Sequence, residues 1–159
     1  MKIYFDACCL SRLTDDHGQM RVRREAEAVE RIFRLIGDGQ ALWVSSTVLD
    51  IEINRNPDPE RRRDASVLLV FANEVVIPGD IAAGRAASLK TLGFGVLDAL
   101  HLASAEQGKV DVFLTTDDDL LRRAKRYNTL IGMCGIFVEQ DGAPLKSQPR
   151  GGYAATPKS

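Results

Sequence analysis

Short apolar runs alternating with helical segments constrain this chain more than any other feature of it. The runs are "KIYF" at Lys2–Phe5, "ALWVSS" at Ala41–Ser46, "VVIP" at Val75–Pro78 and "VDVFLTT" at Val110–Thr116, with a strand-like stretch at Thr129–Val138 interrupted by Gly132 and Gly135. Between the first two, Val22, Ala26, Val29, Phe33 and Ile36 recur at helical spacing and predict a helix over Arg21–Ile36, ended by "GDG" at Gly37–Gly39. Ser46 or Thr47 can cap a further helix to about Asn56, "NPDPERRR" breaks it, and another helical segment reaches Asn73. Asp80–Leu92, Val96–Gln107 and a segment starting near Asp118 also read as helices, whereas the "TDDHGQ" region after Asp6 reads as a polar loop. Strands that alternate with helices predict a mainly parallel sheet covered on both faces. In such α/β folds the site lies beyond the carboxyl ends of the strands.

Asp6 and Asp117 are therefore the residues to ask about, because each directly follows an apolar run. Glu52 lies six residues after Ser46, in the first two turns of the helix leaving the second strand, and stays near the same edge. Asp98 opens the apolar segment "VLDALHLASA", where a charge among Leu97, Ala99, Leu100 and Leu102 is not simply a solvated one. Taken singly, each acid has an ordinary structural explanation: a helix cap, a first-turn dipole partner, an exposed helix acid or a partner for a buried arginine. Brought to one edge, the four repel one another and raise each other's pKa, so the cluster calls for a cation among them. Oxygen ligands without clustered histidine or cysteine suit Mg²⁺ or Mn²⁺ better than zinc.

The ordered set "IYFDACCL", "SSTVLDIE", "LDALHLASA" and "FLTTDDDLL" resembles the PIN domains, the metal-dependent ribonuclease fold known from VapC toxins of toxin–antitoxin pairs, and the resemblance runs as far as Val138. It implies a three-layer α/β/α sandwich with a mainly parallel central sheet, spanning 1–139; the "SQPRGGYAATPKS" stretch has too little apolar content to pack, so a loose tail is expected at 140–159. It also implies that Asp6, Glu52, Asp98 and Asp117 are catalytic, that Asp6, Asp98 and Asp117 hold Mg²⁺ or Mn²⁺, and that the substrate is RNA. A homodimer and, in many members, a small antitoxin partner come with it. The family usually has asparagine or serine two residues after the first aspartate, and this chain has Cys8; support for Asp6 is then expected to be looser or to come from Ser11.

Neighbouring residues receive narrower readings. Asp119 shares a turn with Asp117 and is as well read as a further ligand as it is as the start of a helix. Asp50 lies roughly 200° around the helix from Glu52 and is expected to face solvent. His101, three residues after Asp98, is expected to be a packed, hydrogen-bonded histidine and not a general base, since water activated by a cation needs no imidazole. Cys8 and Cys9 are expected to be small core residues, with no disulfide framework or zinc knot in a chain of three cysteines lacking a CxxC. Positive charge gathers at Arg21–Arg24, Arg61–Arg63 and Arg122–Arg126. Arg21 and Arg122 flank the acidic edge and are the candidate phosphate contacts, whereas Arg61–Arg63 read as a solvated face or an antitoxin contact.

A net charge of −1 excludes a globally basic nucleic-acid binder but not segregated patches. No apolar run approaches the roughly 18 residues of a membrane span, and Asp6 interrupts any signal-like start, so a cytoplasmic protein without a membrane partner is expected. The function indicated is a Mg²⁺- or Mn²⁺-dependent endoribonuclease, the toxin of a toxin–antitoxin pair. The alternative is a catalytically weak PIN-like module acting by RNA or protein binding. A phosphatase with Asp6 as nucleophile is disfavoured because Cys8 stands where a second acid is wanted.

Overall fold

Strict alternation along three strands builds the two faces of the central sheet. Ile3 and Phe5, Trp43, and Val112 and Leu114 point to one face, while Tyr4, Val44 and Phe113 point to the other. The computed structural model describes residues 1–127 and the strand 134–137. Its strands are β1 (Lys2–Phe5), β2 (Leu42–Ser46), β3 (Glu74–Val76), β4 (Val112–Thr115) and β5 (Cys134–Phe137), all parallel in the order β3-β2-β1-β4-β5. Its helices are α1 (Ala7–Arg12), α2 (Met20–Gly37), α3 (Thr47–Asn54), α4 (Pro59–Leu68), α5 (Asp80–Thr91), α6 (Val96–Gln107) and α7 (Asp118–Arg126).

Helices α1 to α4 cover the first face with Cys9, Leu10, Val29, Ile32, Ile36, Leu49, Ile53 and Ala65. On that side Phe5 stacks on Phe33 at 5.1 Å and meets Trp43 edge-on. Helices α5 to α7 cover the other face with Ala82, Ala86, Leu89, Ala99, Leu102, Ala103 and Leu120, and Tyr4 stacks on Phe113 at 5.4 Å. Each large side chain buried in these layers contributes about 1.5–3 kcal/mol. The result is the three-layer α/β/α sandwich expected from the sequence. Small residues on α6 let it lie close to the sheet: a Cβ on Gly108, its C-cap, would stand 2.9 Å from Val44 Cγ1 and 3.0 Å from Val76 Cγ2.

Two local expectations change. The segment after Asp6 does not go straight into a loop but forms α1, whose Cys9 and Leu10 are buried. A six-residue helix is too short to show a periodic pattern, and its start is set by the Asp6 cap instead. The helical segment expected to reach Asn73 stops at Leu68 and passes through a 3₁₀ turn at Leu69–Phe71. Asn73 instead exchanges bonds with Trp43, its side chain accepting from the Trp43 N–H at 2.7 Å. Part of the Thr129–Val138 stretch and the expected tail at 140–159 lie outside the described residues.

The strand order places the site. The chain runs outward from β1 through β2 to β3, then returns through α5 and α6 to start again at β4 on the other side of β1. The order therefore reverses between β1 and β4, and a crevice opens at their carboxyl ends. Asp6 and Asp117 stand just past those ends.

Candidate active site

Asp6 leaves β1 with its N–H still in the sheet, donating to the Leu114 carbonyl at 2.9 Å. Its side chain then caps α1: Oδ1 accepts the Ala7 N–H at 2.8 Å, and Oδ2 accepts the Thr115 hydroxyl at 2.7 Å and the Cys8 thiol at 3.2 Å. Only 6% of Asp6 is exposed. Burial pushes its carboxyl above the ordinary range, partly offset by hydrogen bonds from Thr115 and Cys8, with the Glu52 charge pushing it further up. Support from Ser11 is not found, because its hydroxyl donates to the Ala7 carbonyl at 3.1 Å. Nor is Cys8 merely core filling, since its sulfur also accepts the Thr116 N–H at 3.2 Å and ties the β1 end to the β4 end.

Asp117 is built in the same way. It is the N-cap of α7, with Oδ1 accepting the Asp119 and Leu120 N–H groups at 2.7 and 3.1 Å. Its own N–H donates to Thr115 Oγ1 at 3.1 Å, so one threonine hydroxyl bonds to both strand-end acids.

Glu52 and Asp98 reach the crevice from helices. Ser46 caps α3 through the Leu49 N–H at 3.3 Å, which starts the helix where Glu52 falls near the strand ends. Glu52 Oε2 lies 2.5 Å from His101 Nε2, and ligand atoms of Asp6, Glu52 and His101 all lie within 4.8 Å of one another. Asp98 sits in the first turn of α6, folded back on its cap: a Cβ on Gly95 would stand 2.9 Å from Asp98 Oδ2. Burial raises the Asp98 carboxyl above its usual range, and the charges of Asp6, Asp117 and Glu52 raise it further, against a backbone bond from Gly95. Asp6 and Asp117 at the strand ends and Asp98 at the start of α6 thus face the same edge as Glu52. The four acids predicted from sequence share one crevice.

The flanking residues divide differently. Asp119 is 65% exposed and pairs with Arg122 at 2.7 Å, so its carboxylate is engaged away from the cluster. Arg21 bonds both oxygens of Asp118 at 2.8 and 2.9 Å, donates to the Thr116 carbonyl, and pairs with Glu25 at 2.7 Å. It thus braces α2 against the turn between β4 and α7. Arg61 pairs with Asp15 at 2.8 Å, and Asp50 is exposed, accepting from Asn54. Tyr4, Ser46 and Thr115 are not readable as site residues from the sequence. A threonine two residues before Asp117 is at most a hint; a tyrosine inside an apolar strand is none.

These donors fit a hard divalent cation. Glu52 pairs with His101. The nearby guanidinium groups of Arg12 and Arg21 are committed to Asp15, Glu25 and Asp118. Several carboxylates gathered at one edge are the oxygen donor set that Mg²⁺ or Mn²⁺ takes.

Comparison with known proteins agrees with the fold. The family profile described as PIN domain matches residues 3–126. The structure of VapBC2 from Rickettsia felis bound to a DNA fragment from their promoter aligns with a TM-score of 0.57 at 11% identity, covering 86% of this chain and 98% of that one. The structure of VapBC-1 from nontypeable Haemophilus influenzae aligns with a TM-score of 0.53 at 14% identity, covering 87% and 98%. At these identities the likeness is one of fold. Among curated proteins there is no match.

Proposed function

The chain belongs to the PIN domain family, and from that premise we propose that it is a Mg²⁺- or Mn²⁺-dependent endoribonuclease, the toxin member of a toxin–antitoxin pair. The observation that carries the reading is the gathering of Asp6, Glu52, Asp98 and Asp117 at one edge, with the guanidinium groups of Arg12 and Arg21 paired to other acids. Asp6, Asp98 and Asp117 are the residues that would hold the ion. When bound, it supplies positive charge to the scissile phosphate and lowers the pKa of water.

The chain's own part is to hold carboxylates still. Asp6 and Asp117 are fixed by main-chain N–H groups and by Thr115, so neither has to reorganise when substrate arrives. Glu52 keeps Oε1 free of other hydrogen bonds among the described residues, and that oxygen is suited to accept a proton from the attacking water. Arg21 and Arg122, at the rim, supply backbone phosphate contacts, with Arg21 first exchanging Asp118 for the phosphate.

Purified protein should cleave single-stranded or hairpin RNA in Mg²⁺ or Mn²⁺ and lose that activity in EDTA. Asp6→Asn should lower the rate by about two orders of magnitude or more, the scale expected when several kcal/mol of charge stabilisation is removed. Equal cleavage with and without chelator would overturn the metal mechanism. The PIN family and the VapBC likenesses also support a homodimer and a small antitoxin partner. Light scattering that gives a monomer at micromolar concentration would count against the dimer. No described helix is long and apolar enough to cross a membrane.

A further inference from the structure

Behind Glu52 lies a buried line of hydrogen bonds that the proposed reaction has not used. Ser46 Oγ lies 2.5 Å from the Tyr4 hydroxyl, which lies 2.7 Å from His101 Nδ1, and His101 Nε2 lies 2.5 Å from Glu52 Oε2. Ser46, Tyr4 and His101 are 1%, 0% and 1% exposed, so solvent does not complete their bonding. The direction of the line follows from each end separately. Ser46 Oγ accepts the Leu49 N–H, and the one acceptor for its own proton among the described residues is the Tyr4 oxygen. Leaving that proton unmade in the interior costs about 1–3 kcal/mol, so Ser46 donates to Tyr4. A phenol has a single proton, and Tyr4 spends it on His101 Nδ1. That leaves the imidazole proton on Nε2, facing Glu52. From the other end, a carboxylate only accepts, which requires the same proton on Nε2.

We propose that His101 is a positioning residue: held in its Nε2–H tautomer by Ser46 and Tyr4, it fixes the Glu52 carboxylate and does not itself bind the cation. The proximity of Nε2 to Asp6 and Glu52 would otherwise invite a mixed nitrogen and oxygen site. A nitrogen that carries a proton has no lone pair in the ring plane to give a metal. The line also closes a mechanical circuit. Ser46 starts α3, α3 carries Glu52, and His101 sits on α6 one turn after Asp98, so one set of bonds ties two helix-borne acids to the end of β2.

This inference rests on the nuclease reading, and the experiment keeps the two apart. Wild-type protein labelled with ¹⁵N would be examined by long-range ¹H–¹⁵N correlation at neutral pH, first in EDTA and then in excess Mg²⁺. His101 should show the neutral Nε2–H tautomer in both. A proton on Nδ1 in either state, leaving Nε2 to the ion, overturns the proposal. In parallel, RNA cleavage by His101→Leu, His101→Gln and Tyr4→Phe would be resolved into kcat and KM. His101→Leu should lose roughly 10-fold to 100-fold in kcat with KM nearly unchanged. His101→Gln, whose amide N–H reaches the position of Nε2, should recover most of the loss, and Tyr4→Phe should fall between. A leucine variant as fast as wild type, or a glutamine variant as slow as leucine, would sink the positioning role. Should the leucine variant fail to fold, the wild-type tautomer and Tyr4→Phe decide, with Tyr4→Phe at wild-type kcat counting against the proposal. If wild type cleaves no RNA, the nuclease reading fails, while the tautomer measurement still tests the line of bonds.

Discussion

The strand-end acids and the helix-borne acids reach the same crevice by different physical means. Asp6 and Asp117 each follow a strand and each cap the next helix, so main-chain N–H groups within three residues fix them. Glu52 has no such local anchor, and Asp98 takes a backbone bond from Gly95 in a space where a side chain would crowd it. Glu52 is held by His101, 49 residues away, and Asp98 fits only because Gly95 has no side chain. Local anchoring makes a carboxylate rigid and costs little in packing. Distant anchoring makes its position depend on how α3 and α6 dock.

Crowding a helix acid should produce the largest departure between the two pairs. Gly95→Ala would bring a Cβ to within 2.9 Å of Asp98 Oδ2, so the carboxylate must swing away. RNA cleavage should fall about tenfold, on the order of the second-shell effects that displace a ligand, while the melting temperature changes little. Unchanged cleavage would mean that the position of Asp98 tolerates movement.

Removing a strand-end acid should act on stability instead. Asp117→Ala deletes the α7 cap and should cost about 0.5–2 kcal/mol in metal-free protein, whereas Asp117→Asn keeps an accepting oxygen and should cost far less. Denaturant melts of the two variants check this, and equal losses would show that the charge, not the cap, matters.

The smallest effect is expected for Asp98→Asn, and its sign is the informative part. The Asp98 carboxyl is raised by burial and by Asp6, Asp117 and Glu52, so its ionisation is harder in the folded state than in the unfolded one. Such a group favours folding fully below its unfolded pKa and loses that contribution as pH rises through the folded value. Metal-free Asp98→Asn should therefore match wild type in acid and become the more stable of the two above the carboxylate range. Thermal melts across pH in EDTA measure it; a variant less stable than wild type at neutral pH would indicate that Asp98 is a helix-dipole residue and not a member of a repelling cluster.

Much of this difference was readable beforehand, and the reason is range. The apolar run Lys2–Phe5, the helical period from Val22 to Ile36, and an aspartate directly after two strands are all local patterns, and they carried the sheet, the main helices and the positions of Asp6 and Asp117. Helix α1 was missed because six residues hold no full pattern. Asp119 looks, in sequence, as if it belongs with Asp117, yet it pairs with Arg122 at the surface, a choice between i,i+3 neighbours that spacing alone permits but does not require.

By itself, then, the sequence determined which residues carry charge at the carboxyl ends of parallel strands, because strand period, helix period and capping act over a few residues. Only the tertiary structure decided what surrounds those charges. That Thr115 bonds both Asp6 and Asp117, that Arg21 is spent on Asp118 and Glu25, and that a tyrosine read as core orients a histidine toward Glu52 are all contacts across strands and layers. Hydrogen-bond direction is settled by which protons and lone pairs meet in a space without water. Residues far apart in the chain find out only when the sheet brings them together.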